Sequence, residues 1–144
     1  QARENGYIIR GIDRNDRISS SSSSSTCPSI YIEPHVEFNE NALRMYRGKF
    51  GGVDAVITPI LGQGLPVLDL VHGPNDAVRL IDALRPKYVL PMGNGDVDAQ
   101  GPLSSLVNTI GSPGDFQRVL ASEDWGKGVE VVNVVPGEDI RITI

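Results

Sequence analysis

"PNDAVRLIDALRPKYVLPM", Pro74 to Met92, decides the fold, because it holds one complete helix and the strand that follows it. Ala77, Leu80, Ile81 and Leu84 fall at i, i+3, i+4 and i+7, the spacing that gathers apolar side chains on one side of a helix. Pro86 then forces a stop, since the residue before a proline is driven out of the helical region. Lys87 to Met92 reads as a strand. A buried helix stripe joined to a strand by so short a turn is the building unit of a layered α/β body.

Upstream, "VDAVITPI" reads as a buried strand from Asp54 to Pro59, with Val56 and Thr58 on one face. Before it, "NENALRMYRG" predicts a short helix from Asn39 to Tyr46, capped by Asn39 and ended by Gly48. "SIYIEPHVEF", Ser29 to Phe38, reads as a strand that delivers Glu33, Pro34 and His35 at its tip. "GYIIRG" gives a first strand, Tyr7 to Arg10. Between these two strands run seven serines, Ser19 to Ser25. Such a tract cannot bury enough apolar area to offset chain entropy, so about 13–28 reads as a loop insertion within one domain.

Downstream, the apolar "LGQGLPVLDLVHG" is broken by Gly and Pro and reads as a loop or interrupted strand packed on the body. Gly101-Pro102 is expected to open a second amphipathic helix with Leu103, Leu106, Val107 and Ile110 as its stripe and Gly111 at its end. Ser112 to Asp115 resembles a capping box that starts a third helix burying Phe116, Val119 and Leu120. Trp125 is expected to anchor that helix. "VEVVNVV" and "DIRITI" close the chain as two strands across Pro136-Gly137, a C-terminal antiparallel hairpin. The fold class is therefore α/β to α+β, a mixed β-sheet flanked by helices.

Composition narrows the function classes. The 144 residues suit one domain, and 40% hydrophobic with 22% charged residues is ordinary for a globular protein. A formal charge of −5, with no run of Lys or Arg, argues against nucleic-acid phosphates and anionic membranes as partners. No apolar stretch approaches the ~20 residues of a spanning helix. The single Cys27 excludes an intrachain disulfide and a cysteine-rich zinc module. The first and last residues both read as lying close to folded structure, so a mature piece or fragment of a longer protein is expected.

Several site motifs can be weighed on chemistry. "MGNGDVDAQGP" holds a Gly-x-Gly after a strand, yet a dinucleotide-binding turn also needs a third glycine and a prompt helix. Asp96-x-Asp98-x-Gln100-Gly101 begins like a calcium loop, but its twelfth position is Val107, where a bidentate Glu is required. What remains is a loop carrying two carboxylates where α/β folds keep ligands. His35, beside Glu33 at a strand tip, is a candidate metal ligand; the plainer reading is a turn residue that makes a hydrogen bond. His72 precedes a Gly-Pro helix start. No serine lies in a Gly-x-Ser-x-Gly elbow, and nothing local activates Cys27.

On "YIEPH", "VDAVITP", and "LRPKYVLP" with the glycine-rich loop and "GDV" after it, the chain resembles the C-terminal half of a metallo-β-lactamase-fold protein. The likeness is to the metal-dependent-hydrolase-like branch of cyanobacteria and plants, and covers nearly the whole chain. It implies half of an αββα sandwich and a metal edge on loops leaving the strands, with zinc or another divalent ion and a small-molecule substrate. Esters, thioesters, lactams and phosphodiesters are all within the fold's range. The His-x-His-x-Asp-His ligand motif would lie in the other half. Pro34 and His35 stand where a metal-bridging Gly-Asp would be, and Gly93 stands where a last histidine would be. The resemblance thus implies His35 as a metal ligand, Asp96 or Asp98 as weaker substitutes, and Glu33 as a supporting carboxylate. It also implies a chloroplast or cytoplasmic setting. The alternative is a non-catalytic relative, a subunit or scaffold that meets a protein partner through the run of Leu61, Leu65, Val67, Leu68 and Leu70.

Overall fold

The computed structural model describes residues 6–11, 27–65, 68–92, 108–132, 135 and 137–143. The elements run β1 (Tyr7–Arg10), β2 (Ser29–Ile32), α1 (Glu40–Phe50), β3 (Ala55–Pro59), β4 (Gly62–Leu65), β5 (Leu68–Val71), α2 (Pro74–Leu84), β6 (Tyr88–Met92), β7 (Asn108–Ile110), α3 (Pro113–Ser122) and β8 (Glu130–Val131). A mixed five-stranded sheet has the order β1-β2-β3-β6-β8, and a smaller antiparallel sheet has the order β5-β4-β7. In the large sheet β2, β3, β6 and β8 are parallel and β1 is antiparallel at the edge. Each parallel step moves one way across the sheet, so right-handed crossovers put α1, α2 and α3 on one face. There α2 packs between α1 and α3.

The predicted stripe of α2 is the centre of the core. Ala77, Leu80, Ile81 and Leu84 are wholly buried, against Val56 of β3, Val89 of β6 and Phe116 of α3. The helix ends at Arg85, whose N–H donates to Ile81 O at 2.7 Å, ahead of Pro86. Arg85 itself stacks its guanidinium on Trp125, 4.4 Å from the ring centroid. This contact and partial burial against the core place Trp125 as the anchor below α3.

Asp54 aligns the starts of three strands. Its Oδ2 accepts from Ser29 N at 2.8 Å and Ser29 Oγ at 2.9 Å. Its backbone N donates to Ser29 O, and its backbone O accepts from both Lys87 N and Tyr88 N at 3.0 Å. The carboxylate and peptide of one residue thus hold the amino ends of β2, β3 and β6 together.

The two faces of the large sheet differ. Register and alternation place Ile8, Tyr31, Val56, Val89 and Val131 on the helix-covered face. The opposite face carries Tyr7, Ile9, Ile30, Ile32, Ile57 and Leu90. None of these six belongs to the core cluster or packs against it.

Three expectations are corrected. The first helix runs on to Phe50, past Gly48, because an exposed helical glycine costs only about 1 kcal/mol; Gly51, at φ 84°, ends it with its N–H on Arg47 O. Ile110 does not close a helix. It lies in β7, where Asn108–Ile110 pair with the edge of β4 and β-branched Thr109 and Ile110 suit a strand; the rest of that predicted helix, 101–107, lies outside the described residues. The segment after Leu61 takes the interrupted-strand form of its two expected alternatives, as β4 and β5 paired with each other. Finally, no C-terminal hairpin forms among the described residues: β8 joins β6 in parallel, and residues 138–143 carry no strand. Thr143 O is held instead by Lys87 Nζ at 3.1 Å and Tyr88 Oη at 2.9 Å. The mixed character of the sheet comes from β1. The serine run, Ser19 to Ser25, is outside the described residues.

Candidate functional site

Parallel strands that start level also finish level, and their carboxyl ends form the rim where α/β folds carry ligands. Here that rim is made by Glu33 to Val36 after β2, Thr58 and Pro59 at the end of β3, and Met92 at the end of β6. Glu33 continues the pairing of β2, donating its N–H to Ile57 O at 3.0 Å. His35 therefore stands just beyond the strand, as its sequence position suggests, and is partly buried.

Glu33 is fully buried. Its Oε2 accepts from Tyr31 Oη at 3.0 Å, and its Oε1 accepts from His35 N at 3.3 Å. Burial, and then the Glu33 carboxylate beside it, push the Tyr31 phenol well above its ordinary value, so it stays protonated as a donor. Gly6, immediately before β1, closes over this pair. A Cβ there would fall 2.0 Å from Tyr31 Oη and 2.6 Å from Glu33 Oε2, so only glycine lets the β1 backbone come so close. Glu33 thus supports the backbone of His35 while both of its oxygens are engaged.

Val36 carries the local strain. Its φ is 60°, in the left-handed region that β-branched residues avoid, and its side chain is buried in the core. Such a conformation costs on the order of 1–3 kcal/mol and persists where surrounding structure enforces it. Burial of Val36 on one side and the Glu33 bond on the other fix the turn that presents His35. The third polar group of the rim is Thr58, fully buried, whose Oγ1 has no hydrogen-bond partner among the described residues.

Beside the rim, a groove of about 830 Å³ runs between β1 and the start of α1. Its lining includes Gly6 just before β1, Ile8 and Tyr31 from the sheet, Glu37 and Phe38 from the segment leading into α1, and Leu43 of α1. The Tyr31 side chain separates this groove from Glu33. A cavity of this size, part apolar and part polar, can accept a small organic molecule.

Of the predicted site residues, the structure brings Glu33 and His35 together. Asp96 and Asp98 lie outside the described residues, as does Gly93. His72 is elsewhere, exposed, with Nδ1 3.2 Å from Asp76 Oδ2 at the start of α2. Leu61 packs against the core. Among the described residues no three His, Cys, Asp or Glu side chains converge where a metal ion could sit. The described part of the rim offers one imidazole beside Glu33, whose carboxylate accepts from Tyr31 and a backbone N–H.

Sequence reasoning missed Tyr31 and Val36. Tyr31 was accessible, because a period of two places it on the same strand face as Glu33. Val36 was not, since valine disfavours the conformation it adopts.

No family model matches the chain, and no curated protein matches it. No helix among the described residues is long and apolar enough to cross a membrane.

Proposed function

We propose that this chain is one half of a metal-dependent-hydrolase-like protein of the metallo-β-lactamase fold, and that His35 is its ligand to a zinc or other divalent ion. The carrying observation is the strained turn: a buried β-branched residue at φ 60° holds a histidine at the carboxyl rim of parallel strands. Strain of this kind is better explained by presentation of a side chain than by packing alone. The groove beside Tyr31 would receive the body of the substrate. A divalent ion held there by His35 would supply Lewis acidity toward water and the scissile group. Its remaining ligands would come from residues other than the described ones, Asp96 and Asp98 included. A chloroplast or cytoplasmic setting belongs to the same proposal.

Titration calorimetry with zinc tests it. The full-length protein that contains this chain should bind zinc, His35→Ala should weaken that binding at least ten-fold, and His72→Ala should leave it unchanged. Equal affinity in the wild type and His35→Ala would sink the proposal, and so would an absence of zinc binding by the wild type. The second reading, a non-catalytic subunit, is favoured by Glu33, whose two oxygens are both spent inside the fold. It requires a stable protein partner that co-purifies whether or not His35 is intact.

A further inference from the structure

We infer that the groove between β1 and the start of α1 is a binding site for an organic monocation, an amine or quaternary ammonium on an apolar body. Its volume, about 830 Å³, is that of a small-molecule site. Its charge is one-sided: among the described residues no Lys, Arg or His lines it, whereas Glu37 and Glu40 do. These two carboxylates are not equivalent. Glu40 is neutralised from both sides, with Oε1 2.9 Å from Arg44 and Oε2 2.9 Å from Arg79. Glu37 is exposed, and no cation pairs with it among the described residues. One uncompensated negative charge therefore remains on the lining, and a single positive charge balances it.

The rest of the lining suits such a ligand and disfavours an anion. Ile8 and Leu43 give apolar surface, and Tyr31 and Phe38 add aromatic rings, whose π faces attract a cation that has left water. The Tyr31 hydroxyl is committed to Glu33, so the ring is what Tyr31 presents to the groove. Behind that ring lies the Glu33 carboxylate, whose hydrogen bonds come from a phenol and a backbone N–H, neither of them charged. Its field adds to that of Glu37. An anion would be drawn by the amino end of α1, but Asn39 Oδ1 already accepts from Ala42 N at 3.1 Å and Glu40 occupies the first turn. Charge complementarity thus selects a cation. The inference rests on the proposed function only for the groove's role as the seat of the substrate body. Among the substrates named above, it favours esters or lactams that bear an ammonium group over anionic phosphodiesters.

Titration of the full-length protein that contains this chain with benzyltrimethylammonium, followed by amide NMR shifts with EDTA present throughout, tests it. The amides of Ile8, Phe38 and Leu43 should shift and saturate with a dissociation constant of about 1 mM. Benzyl alcohol and benzoate should bind at least about ten-fold more weakly. Glu37→Gln, a substitution at an exposed position, should weaken the cation at least about five-fold. Asp124→Asn, at an exposed carboxylate outside the groove, should leave it unchanged. Circular dichroism confirms that both variants are folded. Absence of saturable shifts at the groove up to about 20 mM overturns the inference. So does binding of benzoate as tight as that of the cation, or cation binding indifferent to Glu37→Gln. Zinc binding without cation binding would remove this inference and keep the proposed metal site; cation binding without zinc binding would do the reverse.

Discussion

At Val36 a single residue both fills the core and bears a backbone conformation that its side chain opposes. The two effects can be separated by comparison with Val56, which is equally buried on β3. Truncating Val56 to Ala should cost roughly 2 kcal/mol through lost contacts and a partly unfilled cavity. Truncating Val36 removes similar contacts but also relieves β-branched crowding at positive φ, so Val36→Ala should cost about 1 kcal/mol less than Val56→Ala. Urea unfolding of the two variants checks this, and equal losses would show that the strain at Val36 is not real. The comparison also marks the limit of what residue types reveal. His35 at a strand tip is visible as a pattern, and so is Glu33 two residues earlier. The device that aims His35 is invisible, because valine is a poor choice for the turn it makes.

Between elements, the most connected contact joins α1 to α2 through charge. Arg44 pairs with Asp82 across the helices and with Glu40 on its own helix, while Arg79 reaches back to Glu40 at 2.9 Å. Arg47 Nη1 donates to Asp82 O at 2.7 Å, and Arg85 also holds the Asp82 carboxylate. Burial alone would raise the Asp82 carboxyl; the hydrogen bond from Arg44 and the charges of Arg85 and Arg44 outweigh it and hold it below the usual range. A depressed carboxyl stabilises the fold fully above its unfolded value, near pH 4, and the contribution fades as pH falls through the folded value. Asp82→Asn should therefore cost about 1 kcal/mol at pH 7, with the gap to wild type closing toward pH 3. Urea midpoints at both pH values measure it; a gap independent of pH would contradict the assignment. α2 was legible because propensity, stripe and stop all agree in Pro74 to Pro86. Ile110 misled for a specific reason: helical spacing from Leu103 can be satisfied by chance, whereas the free edge of β4 that captures Asn108–Ile110 is a tertiary fact.

Over the whole molecule, α1, α2, α3 and the large sheet share one core cluster, with Leu80 and Ile81 of α2 wholly buried within it. One core implies one transition. Leu80→Ala should cost about 2–5 kcal/mol, lowering the melting temperature by about 5–15 °C. Trp125 fluorescence and helix circular dichroism should still fall together, and separated midpoints would mean that the sheet and helices are distinct units. The alternation of strands and helices made the layers readable from sequence. The absent C-terminal hairpin was unreadable because alternation in "DIRITI" says nothing about partners, and two side chains at the start of β6 hold Thr143 instead. The Asp54 clamp has a further consequence for how this chain can vary. With β2, β3 and β6 zeroed at one aspartate, the rim is measured from Ser29 forward. Each residue added inside β2 would push His35 outward by about 3.3 Å. A serine run upstream of Ser29 can lengthen or shorten by any number of residues without retuning the position of that histidine, so the chain separates a tolerant stretch from an exacting one by a single aspartate.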